Sequence, residues 1–564
     1  MPGVDIKEPA GVLWWRFIHR CPPFLLVLLM QVSVFSAVLA TLLVVAQAAV
    51  LPLPRASLVN PNPLSTMFGF STPIGSLNGT ASATPGIDRY VVQYATAQRW
   101  KAPVIATSLK SLTTLPDVCP QASGDGFIGS EDCLYVVIFA PVKPTQILTW
   151  VHGGSLIVGG ANDPMIEGSK LAQANNAAVV VVQYRLGVLG FLPASSGANG
   201  NLGVRDVVAA LSLVNKLATA FGLSSDKVTV AGQSSGATLV RALLATPSAS
   251  SLFSKAMLHS DTADYGFSKA STVSKLRDAY FQPMLNCSPS SSSCLNALSL
   301  SKIISTQGQI ISDAPTIDAA TAGPVALRPE FDGSLITSTL TRSFPSSLKP
   351  LLITNVNNEG AAFIFGPGAV PADLPTDVYQ PVLSSVIPDD RAQKVFDSGF
   401  YVPPSGNADG VRIALSQVVG DLGFRCPDWA LARAWAARSG KRSRACFSAA
   451  RRTPPTTVST FAPPDEIPII FGTARNPTTE QKQLIGEVQA RIAAFMKSGD
   501  PNATGGTAAS LTGPSAKTTW LQTTNVSAFK VLALGTGGAV DFGGCTTAFW
   551  GTTDVPFDYQ IHDL

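Results

Sequence analysis

Most of the chain is written in short apolar runs separated by polar stretches, with two departures. The short apolar runs Gln146–Val151, Ala178–Gln183, Val228–Ala231, Lys255–His259 and Leu351–Thr354 alternate with helical stretches and read as buried strands. Between the second and third of them, Asp206 to Phe221 repeats at helical spacing, with Val207, Leu211, Val214, Ala218 and Phe221 close to one face. Strands alternating with helices predict an α/β fold with a large, mostly parallel central sheet covered by helices on both faces.

The first departure is Phe24 to Leu51, which holds no charged residue. A membrane-spanning helix needs ~20 apolar residues, so the run is long enough. Lys7, Arg16 and Arg20 precede it and Arg55 follows, a bias that leaves the N-terminus cytosolic. Ala46-Gln47-Ala48 also has the small-residue pattern of a signal cleavage site, so anchor and cleaved signal both stand. Either sends residues beyond about 52 into the secretory lumen or outside, as a secreted or single-pass protein. The second departure is 52–75, rich in Pro, Ser and Asn and without period, which reads as a linker. The division is a cytosolic segment 1–23, an apolar segment 24–51, that linker, one domain over 76–550 and a tail 551–564.

Composition changes the picture little. Charged residues are 13% of the 564, and the formal net charge of +4 gives no reason to expect nucleic acid. Eight cysteines suit an oxidising compartment. Asn78, Asn502 and Asn525 head Asn-x-Ser/Thr triplets that accept N-glycans there.

The chemistry concentrates in VTVAGQSSGATLV, Val228 to Val240. Gly-x-Ser-x-Gly between a strand and a small-residue helix places Ser234 on a tight turn with its hydroxyl above the sheet. The turn also sets the Ser235 N–H at a helix N-terminus, where an oxyanion is stabilised. TWVHGGS, Thr149 to Ser155, ends another strand in glycines whose amides can approach a developing negative oxygen.

Further segments, in order, resemble the type B carboxylesterases, the cholinesterase-like branch of the α/β-hydrolases. They are RYVVQYATAQRWKAP (Arg89–Pro103), SEDCLYVVIFAP (Ser130–Pro141), YRLGVLGFL (Tyr184–Leu192), GNLGVRD (Gly200–Asp206) and FDGSLI (Phe331–Ile336). The resemblance implies hydrolysis of a small-molecule or lipid ester through an acyl-serine, with no metal or organic cofactor. It assigns Ser234 as nucleophile, Glu359 in LLITNVNNEGAAF as the triad acid, and Gly154, Ser155 and Ser235 as oxyanion donors. It implies disulfides joining Cys119 to Cys133, Cys287 to Cys294 and Cys426 to Cys545, the first closing a loop too brief for a lipase lid. Gln233 stands where the family usually has Glu, and Ser155 where a third glycine is common.

One member of the triad is missing. The family's histidine shortly precedes an acidic-aliphatic sequence that DEIPIIFGT (Asp465–Thr473) matches, and counting back reaches Pro463. The chain has four histidines, His19, His152, His259 and His562, and none fills that place by motif. The preceding stretch ARSGKRSRACFSAARR (Ala437–Arg452) is basic, carries the leftover Cys446 and has little strand or helix patterning. Three readings follow: a working esterase whose 437–464 segment is misread or truncated, an inactive esterase-like binding or adhesion protein, or a slow esterase using another base. Loss of a triad histidine costs up to ~10⁶ in kcat.

Overall fold

A computed structural model describes residues 69–550, apart from residues 73, 125, 195–199, 264–265, 322–324, 342, 366–369, 388–390, 440–444, 451–465, 503–518, 521–529, 535–538, 542–544 and 546–549. The apolar run 24–51 lies outside these residues, and among the described residues no helix is long and apolar enough to cross a membrane.

The first strands, β1 (Gly69–Thr72) and β2 (Gly75–Asn78), form an antiparallel hairpin, so the end of the stretch read as linker is paired structure. The main sheet has 12 strands. Its chain order runs through β3 (Asp88–Gln93), β4 (Tyr135–Ala140), β5 (Gln146–Val151), β6 (Ala177–Val182), β7 (Val228–Gln233), β8 (Lys255–His259), β9 (Leu351–Val356), β10 (Ala445–Ala450), β11 (Lys530–Leu534) and β12 (Ala539–Asp541). In space β6, β5, β7, β8, β9, β10 and β11 lie side by side, all parallel. Antiparallel β4 and β3 extend one edge, where the two-residue strands Thr80–Ala81 and Ser111–Leu112 pair with β3 and complete the twelve, and β12 closes the other.

Alternation along the parallel strands feeds two separate cores. Ala178, Val180 and Val182 of β6 face one with Val228 and Val230 of β7, while Ala177, Val179, Val181 and Ala231 face the other. The first is covered by α2 (Leu202–Ala220), α3 (Ser235–Leu244) and α4 (Cys426–Ser439). The second is covered by α1 (Ser169–Asn175), α5 (Glu466–Phe471) and α6 (Thr479–Ser498). A sheet wetted on neither face explains why its strands read as continuous apolar runs.

Strand β10 corrects the sequence reading. Ala437–Arg452 carries little apolar patterning, yet helix runs to Ser439 and Ala445–Ala450 pairs in register with both β9 and β11. Neighbours on both sides impose the strand where alanine and serine have no strong preference of their own. The helix expected from Asp206 begins at Leu202, four residues earlier, after Asn201 takes a left-handed φ of 56°.

The cysteines pair as Cys119–Cys133, Cys287–Cys294 and Cys426–Cys545. The last ties the start of α4 to a residue 119 positions later.

Candidate active site

β7 ends at Gln233 and α3 begins at Ser235, leaving Ser234 alone at the bend with φ 55° and ψ −126°. That conformation is strained for a residue with a side chain. Close packing of backbone holds it. A Cβ on Gly236 would lie 2.2 Å from the Val151 carbonyl oxygen, and one on Gly232 2.4 Å from that of Gly236. Both contacts are far inside van der Waals range, so the elbow needs glycine at both places. The Ser234 N–H donates to the His259 carbonyl at 2.9 Å, fixing the turn to the end of β8. Its side chain is half-buried, and its hydroxyl has no hydrogen-bond partner among the described residues.

The glycine turn after β5 comes up beside it. An added Cβ on Gly153 would lie 3.3 Å from the Ser234 Cβ. Gly154, Ser155 and Leu156 follow with φ of 112°, 52° and 61°. The Ser235 hydroxyl accepts the Leu156 N–H at 3.1 Å, joining this turn to α3. The amides of Gly154 and Ser155 have no acceptor among the described residues. Unsatisfied N–H groups beside an exposed hydroxyl and a helix N-terminus favour negative charge there.

Glu359 sits in the turn after β9, two strands from the elbow and at the same carboxyl edge. It is buried, 8% exposed, and accepts hydrogen bonds from the Val356 amide at 2.8 Å and from Asn355 Nδ2 at 3.2 Å. Between it and the elbow stands Ser260, whose hydroxyl lies 2.9 and 3.0 Å from the two Glu466 carboxylate oxygens and within reach of Glu359, so its one proton serves either acid. Gln233 also hydrogen-bonds Glu466, so the amide that replaces the family's usual Glu is used as a donor. Asp428 of α4 completes the group, accepting from Asn355 Nδ2 at 3.0 Å.

Three buried carboxyl groups this close cannot all carry charge. Burial pushes Glu359 up to about 7, against its bonds from Ser260, Val356 and Asn355. Burial, then the neighbouring Glu359 charge, pushes Glu466 up to about 8. Burial and the Asp261 charge hold Asp428 well above the carboxylate range. Sequence reasoning missed Asn355, Ser260, Glu466 and Asp428. Glu466 and Asn355 had a signal, their places within DEIPIIFGT and LLITNVNNEGAAF.

Of the four histidines, His19, His562 and the expected position, Pro463, lie outside the described residues. His152 is buried, stacks on Tyr184 with ring centroids 4.5 Å apart, and has Nδ1 2.8 Å from the Gly153 carbonyl. His259 is buried between strands, stacked on Trp150, with Nδ1 2.7 Å from Thr354 Oγ1. Burial lowers both to about 4, and neither imidazole ring bonds Ser234 or Glu359 among the described residues. They are packing residues of the oxyanion segment and of the sheet. Glu466 shows where the chain arrives from position 463: directly beside Ser260 and Glu359.

The glycan sites differ. Asn78 is exposed on β2. Asn502 is half-buried, and its amide donates to the Trp520 carbonyl at 2.8 Å and to Asp500 at 2.9 Å, so a glycan there must displace a bond. Asn525 lies outside the described residues.

Comparison with known proteins places this arrangement. The pattern of the "Carboxylesterase family" matches residues 70–541. The "Para-nitrobenzyl esterase" of Bacillus subtilis (strain 168) is 40% identical over 171 residues, which is 28% of this chain and 35% of that one. The rat "Carboxylesterase 1C" is 33% identical over 212 residues, 33% of this chain and 36% of the relative. The human "Cocaine esterase" is 42% identical over 130 residues, 22% of this chain and 23% of the relative. These alignments therefore span about a third or less of the relatives' own length. In three dimensions, the solved structure "PNB ESTERASE" superposes with a TM-score of 0.66 at 26% identity, over 85% of this chain and 98% of that chain.

Proposed function

The chain belongs to the carboxylesterase family, and from that premise we propose that it hydrolyses carboxylic esters through an acyl-serine intermediate on Ser234. The observation that carries this is the strained elbow. It presents a half-buried hydroxyl beside the unsatisfied amides of Gly154 and Ser155 and the first amide of α3.

In this reading Ser234 Oγ attacks the ester carbonyl, and the tetrahedral oxygen takes its charge against the N–H groups of Gly154, Ser155 and Ser235. The alcohol leaves, and water repeats the attack on the acyl-serine. Glu359 would orient a histidine at position 463 and stabilise its cation. With proline there, the proton of Ser234 has no built-in acceptor, so attack is slow. The brief loop between Cys119 and Cys133 supports small soluble esters as substrates over lipid aggregates.

Domain division and placement follow the sequence. Residues 24–51 serve as anchor or signal, and the domain from residue 69 onward works in the secretory lumen or outside, an assignment its three disulfides support.

The second reading, an inactive esterase-like binding protein, draws on the same site: Ser234 Oγ lacks a partner among the described residues, and burial holds Glu359 raised with no imidazole bonded to it there. One experiment separates them. Purified protein is treated with a fluorophosphonate probe and assayed with p-nitrophenyl acetate, with and without added imidazole. Slow labelling that imidazole accelerates and Ser234→Ala abolishes supports the hydrolase. No labelling even with imidazole supports the binding protein.

A further inference from the structure

The turn that carries the oxyanion amides is not self-supporting. Three consecutive residues have positive φ, two of them with a side chain, and such backbone persists only where its surroundings over-determine it. Inside the turn, the Ile157 and Val158 amides share the Gly154 carbonyl, each at 3.0 Å. From outside, the Ser235 hydroxyl takes the Leu156 N–H and the Gly187 amide donates to the Leu156 carbonyl at 2.7 Å.

The remaining support comes from a different part of the chain, the loop closed by Cys119 and Cys133. Gln121, 1% exposed, donates from Nε2 to the Gly159 carbonyl at 2.8 Å and accepts the Gly159 N–H on Oε1 at 2.9 Å. The same Nε2 reaches the Cys119 carbonyl at 3.0 Å. A side-chain amide offers a donor and an acceptor side by side, so it can pair with both backbone groups of one residue, as a neighbouring strand would. Gly159 lies against the turn: a Cβ on it would be 2.6 Å from His152 Nδ1 and 2.8 Å from the Gly153 carbonyl oxygen. Two residues on, Gln183 accepts the Ala161 N–H at 3.2 Å and donates to the carbonyls of Asp117 and Cys133 at 2.7 and 2.8 Å. Two amide side chains thus stitch the disulfide loop to the far end of the oxyanion turn.

We infer that Gln121 is a positioning residue for the oxyanion amides, and that the Cys119–Cys133 loop is the backing against which that hole is held. The catalytic consequence rests on the hydrolase reading above; the structural one does not. Gln121→Ala removes both bonds to Gly159. Gln121→Glu keeps the acceptor and removes the donor.

Two measurements test this on the full chain: hydrogen exchange of the Leu156, Ile157 and Val158 amides, and the rate of Ser234 labelling by the fluorophosphonate in the presence of imidazole. Gln309→Ala, at an exposed glutamine bonded to Asp313, is the control. In Gln121→Ala, exchange at the three amides is expected to quicken at least ~10-fold. Labelling should slow ~10–100-fold, as small misplacements of catalytic groups do. The KM for p-nitrophenyl acetate should stay within about twofold, because ground-state binding does not use the oxyanion amides. Unchanged exchange in a folded Gln121→Ala overturns the inference. So does quickened exchange with unchanged labelling, which would leave the contact but remove its catalytic meaning. If the wild-type protein does not label at all, the hydrolase reading fails and exchange alone decides whether Gln121 holds the turn. If Gln121→Ala does not fold, Gln121→Glu and the paired Cys119→Ser, Cys133→Ser variant are judged by the same two readouts.

Discussion

Burial raises Glu359 against its hydrogen-bond donors and the charge of Arg425, and no imidazole bonds it among the described residues; an imidazolium beside it would favour its charged form. Pro463→His is therefore expected to raise kcat on p-nitrophenyl acetate by ~10²–10⁴, the usual contribution of a positioned base; an unchanged kcat would mean that position 463 does not reach Ser234. The buried acids also set the pH dependence of stability. Glu359 and Glu466, raised from 4.5 to about 7 and about 8, bind more protons folded than unfolded, so they make stability fall as pH rises through that range. His152 and His259, lowered from 6.5 to about 4, bind fewer protons folded and make stability rise between those values. Below about pH 6.5 the two effects offset each other, and above it only the acids act. Tm should drop between about pH 6.5 and 8, and the Glu359→Gln, Glu466→Gln pair should flatten that drop. A double variant with the wild-type slope would assign the effect to other groups. At this scale Ser234, Glu359 and position 463 could be singled out because each lies in a motif of fixed spacing, and the proposed roles of nucleophile, acid and absent base rest on those motifs. Ser260 and Asp428 could not be, because their meaning arises only where three loops converge.

The elbow is the element in which sequence and geometry agree most closely. β7, one bend residue and α3 were readable from a β-branched run, two glycines and small helical residues. The spacing could not reveal what the glycines avoid, the carbonyls of Val151 and Gly236. Gly236→Ala forces the backbone of Val151 and His152, at the end of β5, out of the way, so it should cost several kcal/mol, on the order of 4 or more, and lower the urea midpoint sharply; a variant as stable as wild type would show that the elbow can relax. β10 marks the opposite limit. Its alanines and serine carry no strand signal, and its place is dictated by β9 and β11, which lie far away in sequence. β10 and α5 both take their places in the fold, and residues 451–465 between them lie outside the described residues.

For the whole molecule, the three disulfides are unequal. Loop-closure entropy gives roughly 5 kcal/mol for the 119-residue separation of Cys426–Cys545 and roughly 2.5 for the 7-residue separation of Cys287–Cys294. Replacing the first pair with serine should lower Tm clearly more than replacing the second, measured under one set of conditions; equal losses would point to strain or denatured-state structure instead. Fold class and layer order were readable because buried parallel strands leave continuous apolar runs. The antiparallel strands were not: β3 carries Asp88, Arg89 and Gln93 among its apolar residues, and β12 is three residues long.

That long bridge has a consequence for biosynthesis. Cys426 leaves the ribosome well before its partner, and at ~5–20 residues per second the intervening 119 positions take roughly 6–24 s to synthesise. Throughout that interval Cys446, only twenty positions downstream, is the nearer thiol in sequence. A bridge formed early between Cys426 and Cys446 would have to be undone by thiol–disulfide exchange before residue 545 can pair. Alkylation trapping of stalled chains released before residue 545 would catch Cys426 either free or in the wrong bridge.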